Sequence, residues 1–197
     1  MKANRIFILI AGLSLILLAG CSKAPEVEMN KAQESMQAAV TAEAEQYAPA
    51  AYKVAMDTLN AAKAEEKEQA SKFALFRSYG NAKKLYESAQ YLAENATTEA
   101  AAEKERVMAE TQAMITSVKA VLDSAATAIA KAPVGKGNKA DIELIKADLN
   151  AANGAYEEAV AEFAAGKYLS AQAKLEAVNQ KAESLIAEIA KAKTMKK

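Results

Sequence analysis

The sequence predicts an all-α protein, an elongated alanine-rich helical bundle of antiparallel hairpins with about five helices after an amino-terminal leader. Composition is the first reason. Alanine supplies about a quarter of the chain, and Glu, Lys, Gln and Leu fill much of the rest, all strong helix formers. The second reason is scarcity: 7 glycines and 3 prolines interrupt 197 residues, so each reads as punctuation. The third is periodicity, since between these breaks apolar residues return every three or four positions, the spacing of one helix face.

The chain opens with Lys2 and Arg5, continues through an apolar run over residues 6–18, and reaches the small pair Ala19-Gly20 before Cys21. A positive start, a short hydrophobic stretch and small residues at a cut site are the layout of a secretory signal, and the run is short of the ~20 residues a helix needs to span a bilayer. Residues 1–20 are therefore predicted to be removed. The alternative is an uncleaved membrane anchor; against it stands the position of Cys21, the only cysteine in the chain. Residues 21–28 form a short tether, too short to hold the body far from a membrane.

A first helix is expected over residues 29–47, with Met36, Ala39, Val40, Ala44 and Tyr47 on one face. Pro49 suits the first turn of a second helix, where its missing N–H costs nothing, and that helix carries Ala51, Ala55, Leu59 and Ala62 at helical spacing. Its polar continuation from Glu65 to Gln69 either projects into water or frays before Phe73 and Phe76. After Tyr79-Gly80-Asn81 a long helix is expected over residues 81–132, about 78 Å if straight. Its stripe includes Leu85, Ala89, Leu92, Ala96, Val107, Met114, Val118, Val121, Ala125 and Ile129. Between Glu94 and Arg106 that stripe is apolar only through alanine and threonine, which predicts a kink or thin waist.

The cluster Pro133-Val134-Gly135-Lys136-Gly137 separates this region (residues 29–132) from a carboxy-terminal hairpin over 139–197. Ile142, Ile145, Leu149, Ala152, Tyr156, Val160 and Phe163 form its first stripe, with Gly154 inside at a cost of ~1 kcal/mol relative to alanine. Gly166 turns the chain. Tyr168, Ala171, Leu175, Val178, Ala182, Leu185 and Ile189 then step by three and four like a coiled-coil seam, which permits self-association or a closed monomeric bundle. Tyr79-x-x-Ala82 and Tyr168-x-x-Ala171 each follow a turn, a shared packing solution rather than a 34-residue repeat array.

Charge and residue types exclude several functions. Without the leader the chain carries two more acids than bases, so there is no electrostatic footprint for nucleic acid. Runs such as Glu65-Glu66-Lys67-Glu68 and Glu103-Lys104-Glu105-Arg106 read as solvated helix faces with i,i+4 pairs. Histidine is absent, which removes histidine-based triads, histidine metal ligation and the usual proton shuttle near neutral pH. No catalytic residue, metal site or cofactor is predicted, and no enzyme. Gly135-Lys136-Gly137-Asn138 lacks the spacing and the preceding strand of a phosphate loop and reads as an exposed turn.

The aromatics Tyr47, Tyr52, Phe73, Phe76, Tyr79, Tyr86, Tyr91, Tyr156, Phe163 and Tyr168 gather near the predicted turns. Either they cap a thin core at hairpin ends, or they form a patch for a partner, since tyrosine combines contact area with a polar tip. Substitution of Tyr79 and Tyr86 separates the two, because a core role predicts loss of fold first.

The string Leu18-Ala19-Gly20-Cys21 resembles the lipobox of bacterial lipoproteins. That resemblance implies diacylglycerol on the Cys21 thiol, cleavage before Cys21 and acylation of the new amino terminus; Ser22 in place of an aspartate implies carriage to the outer membrane. The region around Ala48-Pro49, with alanines at three- and four-residue intervals and Tyr79-x-x-Ala82 downstream, is similar to a family of alanine-rich bacterial lipoproteins of unknown function. Some members carry a peptidoglycan-binding module, which this chain lacks. Leader and basic tail together resemble the major outer-membrane murein lipoprotein, which implies a peptidoglycan link through Lys197; that family is a single short helix, whereas this chain has several.

The expected function is thus a lipid-anchored envelope protein with a structural, tethering or scaffold role, whose partners are the membrane and an envelope protein. The alternative is a small-molecule-binding lipoprotein with an inter-helix pocket.

Overall fold

The structure, a computed structural model, describes residues 23–133, 135 and 138–194. Among them the chain is helical: α1 Glu26–Thr41, α2 Ala44–Tyr47, α3 Pro49–Ser71, a single 3₁₀ turn Ala74–Phe76, α4 Gly80–Ala130, α5 Lys139–Ala164 and α6 Tyr168–Thr194. The chain divides into two compact units, Met1–Glu103 and Lys104–Lys197, and the division falls inside α4. No break in α4 accompanies it. The helix continues through the alanine- and threonine-rich middle, and Ala96, Ala100 and Val107 remain buried there.

In the first unit the core is made of Ala32 and Met36 from α1, Ala55, Leu59 and Ala62 from α3, and Tyr86, Ala89 and Ala93 from α4. Five of these eight are alanines, so the helices approach closely and each contact buries little area. Polar pairs fix the directions. Glu28 bonds Lys83 at 2.7 Å and the Ser35 hydroxyl donates to Glu94 at 3.4 Å, so α1 and α4 run parallel. The Tyr86 hydroxyl donates to Glu66 near the end of α3, so α3 runs against both. The start of α1, the end of α3 and the start of α4 therefore share one end of this unit.

The first helix differs from expectation. Residues 29–47 do not form one helix: α1 ends at Thr41, and Glu43 adopts a left-handed backbone (φ 58°) before the single turn of α2. No glycine or proline marks that position. Ala48, the residue before Pro49, leaves the helical region at φ −138°, ψ 54°, and the reversal is sealed by burial of Ala44, Tyr47 and Ala48. Packing thus outweighs the strain of a non-glycine residue at positive φ, ~1–3 kcal/mol. Val40, placed on the buried face by periodicity, is 48% exposed. The helix from Pro49 runs through its polar stretch to Ser71 rather than fraying, with Gln69 buried.

The second unit packs α5 and α6 as a hairpin against the carboxy-terminal part of α4. Val118, Leu122, Ala125 and Ile129 meet Ile142, Ile145, Leu149, Ala152 and Ala159 and the α6 seam. Every seam residue from Ala171 to Ile189 is buried inside the chain's own bundle. The Tyr156 hydroxyl pins α5 to α4 by donating to the Ile115 carbonyl at 3.2 Å, and Lys181 meets Asp148 at 2.5 Å between α5 and α6. Asn138 stitches the preceding turn: its side-chain oxygen accepts from Gly135 N–H at 2.7 Å and its amide donates to the Pro133 carbonyl at 2.8 Å.

Gly166 ends α5 at φ +78°, with its N–H on the Phe163 carbonyl and the Lys167 N–H on the Glu162 carbonyl, the paired bonds of a Schellman cap. Gly154 instead sits mid-helix, exposed, with nothing within 4 Å of an added Cβ. The same substitution should therefore have opposite signs at the two sites. Gly154→Ala is expected to stabilise by about 0.8–1 kcal/mol through helix propensity, and Gly166→Ala to destabilise by about 1–2 kcal/mol through left-handed strain. Urea midpoints of the two variants check this, and equal shifts of like sign would refute it.

By length and composition α4 is apolar enough to cross a membrane. Alanine supplies much of that hydropathy, and residues along α4 help build both cores.

Candidate functional site

Between α3 and α4 the chain reads Lys72-Phe73-Ala74-Leu75-Phe76-Arg77. Lys72 leaves the helix in extended backbone (ψ 156°), Phe73 follows (ψ 138°), and a single 3₁₀ turn carries Ala74–Phe76 before Arg77 extends again. The segment is held at its neck. The Arg77 Nε donates to the Lys72 carbonyl at 2.9 Å, and the side-chain oxygen of Gln69 accepts from the Ser78 N–H at 3.2 Å. Gln69 is itself set by donating to Glu65 at 2.9 Å, which explains why a glutamine is buried at the end of a polar stretch.

What this neck presents is apolar. Phe73, Leu75 and Phe76 are 69%, 53% and 76% exposed, and the two phenyl rings lie 6.3 Å apart at 50°. Single exposed apolar residues are ordinary, but three large ones on a four-residue tip form a contiguous patch. From Lys72 to Lys84 there are four basic side chains, Lys72, Arg77, Lys83 and Lys84, and no acid.

The tip shares its end of the unit with the amino-terminal start of α1, where Val27 is 63% exposed. The Glu28–Lys83 pair joins the two: the Lys83 ammonium holds the Glu28 carboxyl below its usual range, and Glu28 raises Lys83 in return. Cys21 itself, with the whole leader, lies outside the described residues, as does Lys197.

The aromatics divide sharply. Tyr47, Tyr79 and Tyr86 are buried, Tyr52, Tyr156, Phe163 and Tyr168 are half-buried, and Phe73, Phe76 and Tyr91 are exposed. Phe163 and Tyr168 face each other across the α5–α6 turn at 5.2 Å. The two tyrosines singled out in the sequence belong to the interior, and the surface patch is made by phenylalanine. Leu75 went unnoticed in the sequence; the signal for it was a four-residue apolar run between a polar helix end and a glycine.

Beneath Ile129, Ile142, Ile145 and Ile189 lies a cavity of about 10 Å³, room for at most one water. Among the described residues no group of three or more acidic, cysteine or histidine side chains converges as a metal site would require. Two acids of α5 have specific partners on α6: Lys174 bonds both Glu158 and Glu162 at 3.0 Å, and the Ser170 hydroxyl with Lys174 holds the Glu162 carboxyl below its usual range. These groups brace the α5–α6 hairpin.

Comparison with protein-family models, with curated proteins and with solved structures finds no match to this chain.

Proposed function

We propose that this chain is a lipid-anchored envelope protein, held through Cys21 at the periplasmic face of the outer membrane, whose helical body serves as a scaffold or tether for another envelope protein. The observation that carries the reading is the sequence Leu18-Ala19-Gly20-Cys21-Ser22 at the end of a signal-like leader, with Cys21 the sole thiol. Several acyl chains on one residue give firm attachment, because each buried methylene contributes ~0.8 kcal/mol while a single chain holds only reversibly. The described body is consistent with that role: it has a braced helical surface, and the cavity beneath Ile129, Ile142, Ile145 and Ile189 is far below the few hundred Å³ of an ordinary ligand pocket. The seam of α6 is consumed within the chain's own bundle, so it supplies no free coiled-coil face for self-association.

Mass analysis of protein extracted from bacterial membranes tests the anchor. The expected species lacks residues 1–20 and carries acyl groups on Cys21. A chain that retains Met1 and a free Cys21 thiol would overturn the proposal. In the same preparation, muramidase digests of the cell wall decide the peptidoglycan link that the basic tail implies, through the presence or absence of a muropeptide joined to Lys197. In-cell crosslinking of the acylated protein identifies the protein it tethers.

A further inference from the structure

We propose that the tip Phe73–Phe76 is a second membrane contact, seated among the headgroups and upper acyl chains of the bilayer that carries the Cys21 anchor. The inference rests on the lipid-anchor reading and adds to it an orientation for the first unit, end-on with the α3–α4 turn toward the lipid.

Three observations select a bilayer as the occupant. Position is the first. The helix α1 begins at Glu26, five residues after Cys21, so its start lies within about 18 Å of the anchor along any path of the chain. The Glu28–Lys83 pair and the direction of the helices place the tip at that same end. Charge is the second. Lys72 and Arg77 bracket the apolar residues immediately; Lys72 is paired with Glu68 at 3.0 Å and Lys83 with Glu28 at 2.7 Å, so cations flank the tip itself while the surrounding end of the unit is mixed in sign. Shape is the third. Two phenylalanines and a leucine stand exposed on one short turn clamped at its neck by Gln69 and Arg77, an arrangement that can enter a fluid bilayer interface without a preformed complementary pocket. Aromatic side chains with flanking cations suit the interfacial zone, where rings sit among headgroups and basic groups remain hydrated. Val27, exposed at the start of α1, adds apolar surface to that end.

The chain has no tryptophan, so Phe76→Trp introduces a single indole at the tip, excited selectively over the 7 tyrosines. The acylated full-length variant is reconstituted into vesicles of phosphatidylethanolamine with a minority of phosphatidylglycerol. The expected result is emission shifted to shorter wavelength than in lipid-free detergent solution, quenching by lipids brominated on the acyl chain, and protection from aqueous iodide. Adding Phe73→Ser and Leu75→Ser to the same chain is expected to abolish the shift and restore iodide quenching. Melting temperature and helical circular dichroism should be unchanged, since these side chains are exposed, which keeps misfolding from imitating the result. An acylated, vesicle-bound protein whose indole stays water-exposed overturns the inference while the anchor stands. A shift that lipid alone does not produce but envelope proteins do assigns the tip to a protein partner and likewise overturns it. A chain whose mass shows no acyl group removes the anchor and this orientation together.

Discussion

Tyr86→Ala is expected to lower the stability of the first unit by about 3–5 kcal/mol, the cost of deleting a fully buried aromatic ring. Tyr86 is the largest side chain in that core and is completely inaccessible. Ala32, Ala55, Ala62, Ala89 and Ala93 have no rotamers with which to fill the hole, so any collapse falls to Met36, Leu59 and the partly buried Met29, Met56, Leu85 and Leu92. Set against a total of about 5–15 kcal/mol for a domain, such a loss leaves little folded population on heating. Amide exchange should rise first in α1, in α3 and in the amino-terminal part of α4, whose protection depends on this core. A melting temperature within a degree of the parent would show that Tyr86 does not hold it.

The same residue links stability to alkaline pH. Burial, reinforced by the Glu66 carboxylate that accepts its hydroxyl, pushes Tyr86 ionisation well above the ordinary tyrosine range. An unfolded tyrosine ionises near pH 10, so above that value the unfolded chain gives up a proton that the folded chain keeps. This contribution is fully present below about pH 10 and is lost as pH rises beyond it. Tyr86→Phe, which has nothing to ionise, should show a shallower alkaline loss than the parent when urea midpoints are compared across that range. Identical alkaline limbs would remove the linkage.

Leu175→Ala is the counterpart in the second unit, with an expected loss of about 2–5 kcal/mol. Leu175 is fully buried in the core that α6 shares with α4 and α5, next to Lys174, whose bonds to Glu158 and Glu162 fix its level on α5. Leu169, six residues earlier on the same helix, is 38% exposed, and Leu169→Ala should stay within about 0.5 kcal/mol of the parent. The pair separates burial from leucine content, since helix propensity changes equally in both. Comparable midpoint shifts in guanidinium for the two variants would contradict the assignment of the α6 core face.

Much of this architecture is legible in the sequence because helix faces are. The α6 seam was read residue by residue, and Ala171, Leu175, Val178, Ala182, Leu185 and Ile189 are all buried. Ile142, Ile145, Leu149 and Ala152 on α5 follow the same rule, as do the turns at Gly80 and Gly166 and the parallel burial of Ala82 and Ala171 after their tyrosines. Where alanine dominates, the rule weakens. Alanine is as good on an exposed face as on a buried one, so its position says little about which way the helix faces. Periodicity misses Ala100 on α4 and places Val40 on the wrong face of α1.

The anchor and the tip show the two limits in opposite directions. The anchor proposed at Cys21 rests on the sequence alone: one thiol, two small residues and an apolar run motivate it, and no folded neighbour is needed to read them. The tip could not be read that way, because Phe73 and Phe76 have the composition of core residues and only the clamp by Gln69 and Arg77 turns them outward.

By itself, then, the sequence determined that this protein is all-helical and where most of its helices turn; these follow from propensity, periodicity and punctuation, which act over a few residues. The tertiary structure alone decided that α1 breaks at Glu43, that Tyr86 is interior while Phe76 is surface, and that the start of α1 and the α3–α4 turn share one end. Those outcomes depend on which helices meet. Contacts between residues twenty to sixty positions apart, such as Tyr86 with Glu66 and Ser35 with Glu94, leave no trace in local spacing.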